Sequence, residues 1–325
     1  MTALAAAPAS RPRFEHAEAL LFDPVAVNRS ATRGMLAALG FRKVQTPYDL
    51  NSLAQRLKGQ SFDLVVLEVR PDPKPILGLI QDLRQGRIGL NPFSIVMATA
   101  WTLDDEVVRG VVQSGADDLM GRPFSTGFLG QRLKQLIDGR KGFVVTSDYI
   151  GPDRRRDPAR SGGAPTAEVP NSLKLKSQGR RDTIAVETEI ALAVAKSRGE
   201  INLEKARRNA FQMIIQSRLT AAALDGATPT DAIVAELRKI ETLAAETVRL
   251  TEASPFSMSY QMCDPIIQAS KAAQKGEEMS HHLSLIGQLA TTLHATVNPG
   301  VTTDEIEFQV TQTVLMIQNR GKRAG

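Results

Sequence analysis

The chain has 325 residues, enough for two domains, and its 42% hydrophobic and 23% charged residues exclude the composition of a disordered protein. A single cysteine, Cys263, excludes an intrachain disulfide, and no run of about 18 apolar residues marks a membrane span. The formal net charge of +5 is concentrated between Ile150 and Asp182, where Arg154, Arg155, Arg156, Arg160, Lys174, Lys176, Arg180 and Arg181 face only Asp153, Asp157, Glu168 and Asp182. Basicity therefore belongs to one segment and not to the face of a folded domain, and nucleic-acid binding, which would want aromatic platforms or a recognition helix, is not expected. Residues 1–17 lack a basic stretch followed by an apolar one and read as a disordered tail. A cytoplasmic, reduced setting fits.

From Ala19 to Gly139 short apolar runs alternate with amphipathic segments. Strands are predicted at Ala19–Phe22, Lys43–Thr46, Leu64–Val69, Ser94–Thr99 and Asp118–Gly121, with helices between them at Val27–Leu39, Tyr48–Leu57, Ile76–Gln85, Leu103–Ser114 and Ser125–Asp138. Strict alternation predicts an α/β domain over 18–140, a doubly wound five-stranded parallel sheet with any site at the carboxyl ends of its strands. Gly, Pro, Ser and charged residues then dominate, and 141–182 reads as a basic linker. Beyond it, 183–320 has the spacing of an all-helical domain. Helices are predicted at Thr183–Ala223 with a break near Arg198–Ile201, then at Asp231–Thr251, Asp264–Lys275, Glu278–Val297 and Asp304–Gln318. Thr228-x-x-Asp231 and Thr302-x-x-Glu305 have the spacing of capping boxes.

Four motifs stand at successive strand ends: Phe22-Asp23-Pro24, Leu67-Glu68-Val69-Arg70-Pro71, Met97-Ala98-Thr99-Ala100, and the run from Gly115-Ala116-Asp117-Asp118 to Gly121-Arg122-Pro123-Phe124. In this order they resemble the receiver domains of response regulators, over roughly Glu18 to Gly139. The resemblance implies an acidic pair after the first strand and an aspartate after the third that bind Mg²⁺, the latter accepting a phosphoryl group. It also implies a hydroxyl and a lysine, after the fourth and fifth strands, that contact the phosphoryl oxygens. Those places hold Asp23 and Pro24, Glu68, Thr99 and Arg122.

The departures point to a degenerate phosphoacceptor pocket. One acid has become Pro24, while magnesium wants near-octahedral oxygen ligands. Glu68 moves its carboxylate about 1.5 Å further out than an aspartate would, by bond lengths, away from in-line geometry. Glu68 is therefore expected to stay unphosphorylated and to pair with Arg122, whose planar guanidinium suits a carboxylate. Leu119 replaces the aromatic often found on the fifth strand, and Pro71, Pro73 and Pro75 stiffen the loop after the third. The family's usual contact face falls near Trp101–Gly115 and Leu119–Phe124, with Trp101 as a buried anchor or an exposed hot spot.

The expected function is thus a signalling adaptor that binds protein partners in a two-component or related pathway, with no enzyme activity, cofactor or metal. Two alternatives stand beside it. Arg154, Arg155, Arg156 and Arg160 form an anion-binding cluster, and Arg156-x-x-x-Arg160 resembles half of the cyclic-dinucleotide motif of PilZ domains, although its Asp/Asn-x-Ser-x-x-Gly half is absent. The same stretch also reads as a solvated charge run in a linker, or as a docking segment that packs Phe143, Val144, Val145, Tyr149 and Ile150 on one domain while its arginines meet acids. The second alternative is a phosphorelay protein using His281, His282 or His294 of the helical half, where His282 falls at the edge of a stripe with Ile286, Leu289 and Leu293.

Overall fold

The computed structural model describes residues 12–69, 72–155, 166–224 and 230–324. They fall into two compact units, divided between Arg198 and Gly199. In the first unit, β1 (Glu18–Phe22), β2 (Lys43–Gln45), β3 (Leu64–Glu68), β4 (Ile95–Ala100) and β5 (Asp118–Gly121) form a parallel sheet in the order β2-β1-β3-β4-β5. The five predicted strands are all present, each within a residue of its expected end. Their side chains explain the parallel pairing. β3 and β4 are buried at every position, as strands covered on both faces must be.

The intervening helices are α1 (Ala26–Ala38), α2 (Leu50–Gly59), α3 (Pro73–Arg84), α4 (Asp105–Ser114) and α5 (Thr126–Asp138). Local chemistry starts them. Asp49, Asp72, Asp104 and Ser125 each accept a backbone N–H of the first turn of α2, α3, α4 and α5. α3 begins at Pro73, in a position where a missing N–H costs nothing. Two apolar layers sandwich the sheet, one built on Leu20, Val65, Leu67, Val96 and Ile80 and the other on Leu21, Val66, Met97, Leu36 and Leu133. At about 1.5–3 kcal/mol for each such side chain buried, these layers hold the strand ends, and so the site, in place.

Two expectations change here. Residues 12–17, assigned to the tail, are structured: Phe14 and Ala17 are buried, and Phe14 stacks on Phe41 with ring centroids 4.5 Å apart. The predicted linker also carries regular structure in its described residues, 141–155 and 166–182. β6 (Phe143–Val145) pairs antiparallel with β7 (Ile150–Pro152) and β8 (Thr166–Ala167), and α6 (Ser172–Ser177) follows. Phe143, Val145, Ile150 and Leu173 are buried, the outcome of the docking alternative. Strands of two or three residues are too short to show a period, which hid them in a Gly- and Pro-rich stretch. Gly115, which ends α4 at φ 87°, permits the approach of β7: an added Cβ would lie 2.5 Å from the Ile150 carbonyl oxygen.

α7 (Thr183–Ala222) is continuous, so the expected break is absent from the helix, although the division between units falls at Arg198. The second unit continues with α8 (Asp231–Thr251), α9 (Tyr260–Gln274), α10 (Met279–Val297) and α11 (Thr303–Ala324). Its core is read from helical spacing: Ile233, Leu237, Ile240 and Ala244 on α8 meet Ile266, Ala269 and Ala273 on α9, and Leu283, Ile286, Ala290, Leu293 and Val297 on α10. α9 begins four residues earlier than predicted and carries Pro265 inside it. The predicted box Thr302-x-x-Glu305 forms in both directions, Thr302 N–H to Glu305 at 2.8 Å and Glu305 N–H to Thr302 Oγ1 at 3.3 Å. Thr228 lies outside the described residues, and Thr230 caps α8.

Candidate functional site

Parallel register brings the four sequence-predicted residues together at the carboxyl ends of the strands. Glu68, last in β3, stands beside Thr99 on β4; Asp23 follows β1, and Arg122 follows β5. Arg122 gathers them. Its Nε donates to Glu68 Oε2 at 2.7 Å and its Nη2 to Asp23 Oδ2 at 3.0 Å. Nη2 also approaches the hydroxyls of Thr32 and Thr99 at 3.2 and 3.4 Å, and Thr99 donates to Glu68 Oε2 at 2.8 Å. The Arg122 backbone is pinned by its N–H to the Ala100 carbonyl, and its guanidinium lies 4.9 Å from the Phe124 ring centroid. Thr32, on α1, is the member that sequence reasoning missed, because nothing in a helix sequence marks which hydroxyl turns toward a strand end.

The cluster holds two carboxylates against one guanidinium, all buried: the Arg122 side chain is 6% exposed, Glu68 3% and Asp23 fully enclosed. Burial pushes the Asp23 carboxyl above its usual range, against the pull of the Val25 amide, Arg122 and Arg29. Burial also pushes Glu68 up, opposed by its bonds to Arg122 and Thr99 and assisted by the nearby Asp23 charge. Glu68 Oε1 is buried with no hydrogen-bond partner.

The strand order 2-1-3-4-5, with this constellation at its carboxyl edge, decides the fold. Residues Glu18 to Asp138 have the fold of a receiver domain. Solved structures similar to the receiver unit include a response regulator from Thermotoga maritima, 22% identical, covering 38% of this chain and 99% of that one with a TM-score of 0.34. A CheY-like receiver domain protein from Methanospirillum hungatei is 17% identical over 38% and 95% of the two chains, TM-score 0.34. DrrB, an OmpR/PhoB homologue of Thermotoga maritima, is 20% identical over 55% and 88%, TM-score 0.34. No family model matches the chain.

A receiver implies a divalent cation between the acids after β1 and β3, and the residues here do not fit one. Pro24 supplies no carboxylate, and the space between Asp23 and Glu68 is bridged by the positive charge of Arg122. Among the described residues no group of three or more His, Cys, Asp or Glu could hold a metal elsewhere.

A second arginine–carboxylate cluster, unanticipated from sequence, ties the small sheet to the receiver. Asp117, which precedes β5, accepts from Arg84 Nη2 at 2.6 Å and from Arg140 Nε at 2.8 Å, and takes the Val96 N–H. Arg84 also donates to the carbonyls of Gly115, Pro92 and Ser94, and both guanidinia lie about 5 Å from the Phe143 ring centroid. Burial would raise the Asp117 carboxyl, but Arg140 and Arg84 hold it below the usual range. Burial lowers Arg84 to about 10, which leaves it charged at neutral pH.

The proposed anion cluster is not assembled by its described members. Arg154 donates to the carbonyls of Ala116 and Asp117, and Arg155 folds onto Asp153 with bonds of 2.9 and 2.8 Å. Arg156 and Arg160 lie outside the described residues. Of the three histidines, His294 is buried on α10 beside Phe211, which closes it to a phosphoryl donor, and burial with the nearby Arg207 charge lowers its pKa. His282 is half-buried and its ring lies edge-on to the exposed His281.

On the expected contact face, Trp101 is 55% exposed, with Leu103 and Val108 also open to solvent. Trp101 is therefore no buried anchor. Among the described residues no helix is long and apolar enough to cross a membrane.

Proposed function

We propose that this chain is a response-regulator-like signalling adaptor whose receiver unit does not accept a phosphoryl group and which acts by binding a protein, not by catalysis. One observation carries the reading: the Arg122 guanidinium bridges Asp23 and Glu68, so the carboxylates that would hold a metal and a phosphoryl group are already engaged within the protein. A planar fork held at both ends and backed by two threonines is a fixed arrangement, and it favours one constant surface over a switch. Trp101, Leu103 and Val108 support the binding role, since aromatic side chains exposed beside aliphatic ones form the anchors of protein interfaces. A cytoplasmic site of action belongs to the same reading. It is supported by cysteine usage: Cys263 is the single cysteine of the sequence, so no intrachain disulfide asks for an oxidising compartment.

The test is a titration with Mg²⁺ and beryllofluoride, followed by the amide chemical shifts of Val69, Thr99 and Ala100. Unchanged shifts are expected. Saturable shifts at these three amides would overturn the proposal, because they require the anion and the metal to displace Arg122.

A further inference from the structure

Beside the Arg122 cluster, a cleft of about 550 Å³ opens outside the carboxyl ends of β1 and β3. In this strand order, β1 and β3 are where the connections turn to opposite faces of the sheet, the place where doubly wound folds leave a crevice for ligands. Phe22, Pro24, Leu50, Pro75 and Ile76 give the cleft apolar walls, and Tyr48, 71% exposed, stands at its rim. Its charged lining is acidic, with Asn51 beside it. Asp49 and Asp72 reach it from the starts of α2 and α3, Glu68 lines it from β3, and among the described residues no lysine or arginine does.

Glu68 is what distinguishes this cleft from an acidic surface. Its Oε2 is turned to Thr99 and Arg122, neither of which lines the cleft, while its other oxygen, Oε1, is buried without a partner on a side chain that does. A buried acceptor left bare is costly and calls for a donor. Charge points the same way, since Asp23 and Glu68 share the one guanidinium that bridges them, and Arg29, the other cation near them, acts on Asp23 and not on Glu68.

We propose that this cleft binds a small organic cation, an ammonium or guanidinium on an apolar or aromatic body, with the charged head donating to Glu68 Oε1 and the body lying among Leu50, Pro75 and Ile76 beside Tyr48. The apolar walls supply area, the carboxylate supplies orientation, and Tyr48 adds a ring face for the cation. Anionic ligands are disfavoured by the same three carboxylates. The proposal rests on Glu68 staying unphosphorylated and paired with Arg122, and the two readings fail separately: beryllofluoride is read at the amides of Val69, Thr99 and Ala100, the cation at the methyls of Leu50 and Ile76.

The experiment titrates the full-length protein with benzylammonium, benzyl alcohol and benzoate at millimolar concentration, recording methyl spectra of Leu50 and Ile76. Benzylammonium is expected to shift both methyls saturably, with benzyl alcohol at least about tenfold weaker, the loss of a charge-assisted hydrogen bond. Benzoate should leave them unmoved; it also tests Arg70, which follows the strand and lies outside the described residues. Glu68→Gln should abolish the preference for the cation over the alcohol. Since that change could perturb the Arg122 cluster, Asn51→Arg and Tyr48→Ala, both at exposed positions, serve as second variants and should each weaken benzylammonium several-fold. Equal binding of the alcohol, binding of benzoate, shifts confined to other methyls, or no shift with any probe would overturn the proposal.

Discussion

The two buried arginine–carboxylate clusters of the receiver unit are built from the same groups in opposite ratio. Around Asp117, two guanidinia serve one carboxylate, and each guanidinium also reaches backbone carbonyls. Around Arg122, one guanidinium serves two carboxylates, and an oxygen of Glu68 is left over. The first cluster is saturated, and its guanidinia outweigh burial to hold the pKa of its acid down; the second is short of donors, and burial outweighs Arg122 to hold the pKa of both of its acids up. A satisfied network fastens one element to another, and an unsatisfied one at the strand ends is what remains where a fold's site has been rebuilt.

Removing the acid from the saturated cluster should cost most. Asp117→Ala leaves two buried guanidinia facing each other, and a loss of about 3–5 kcal/mol in urea unfolding is expected for breaking a buried pair from one side. A loss below about 1 kcal/mol would mean that the small sheet is not fastened through Asp117. The same acid sets a pH limit. With its folded pKa below the ordinary 3.8, its contribution is present above that value and is lost as pH falls through the folded one.

Arg122→Leu should cost less, about 2–3 kcal/mol at neutral pH, because Asp23 and Glu68 can take up protons in place of the guanidinium. That cost should shrink as the pH is lowered into the carboxylate range. A pH-independent loss would show that Arg122 acts by packing on Phe124 alone.

Glu68→Gln should change stability by about 1 kcal/mol or less, since it trades an excess charge for a neutral hydrogen-bonding group. Its sign depends on pH. A carboxyl whose folded pKa is raised above its ordinary 4.5 stabilises most at low pH and loses that contribution as pH rises through the folded value. The variant should therefore gain on the wild type between acid and neutral pH, and parallel stability curves would contradict the raised pKa. Trp101→Ala, outside both clusters and exposed, should stay within about 0.5 kcal/mol while leaving any partner surface without its aromatic.

The contrast between the clusters also marks what sequence can carry. Asp23, Glu68, Thr99 and Arg122 were legible because each sits at or beside the end of an apolar strand, in an order that resembles a receiver domain, and a parallel sheet brings strand ends together whatever the loops do. Arg84 and Arg140 were not, since each reads as an ordinary basic residue near a helix end, and only the fold of 143–152 buries them against Asp117. The small sheet was hidden by strands of three residues or fewer, below the length at which alternation can be seen. Helix spacing located the second unit, but α9 starts at Tyr260 and not at Asp264, and carries Pro265 inside it, a residue tolerated best in a helix's first turn.

The charge ratio at Arg122 is the core of this account, and it is tested most directly by intact mass after incubation with Mg²⁺ and phosphoramidate. The wild-type chain is expected to gain nothing, while a Pro24→Asp, Glu68→Asp, Arg122→Lys triple variant, in which the family's acids and lysine are restored, is expected to gain one phosphoryl group. A wild-type chain that gains a phosphoryl group on Glu68 would contradict it.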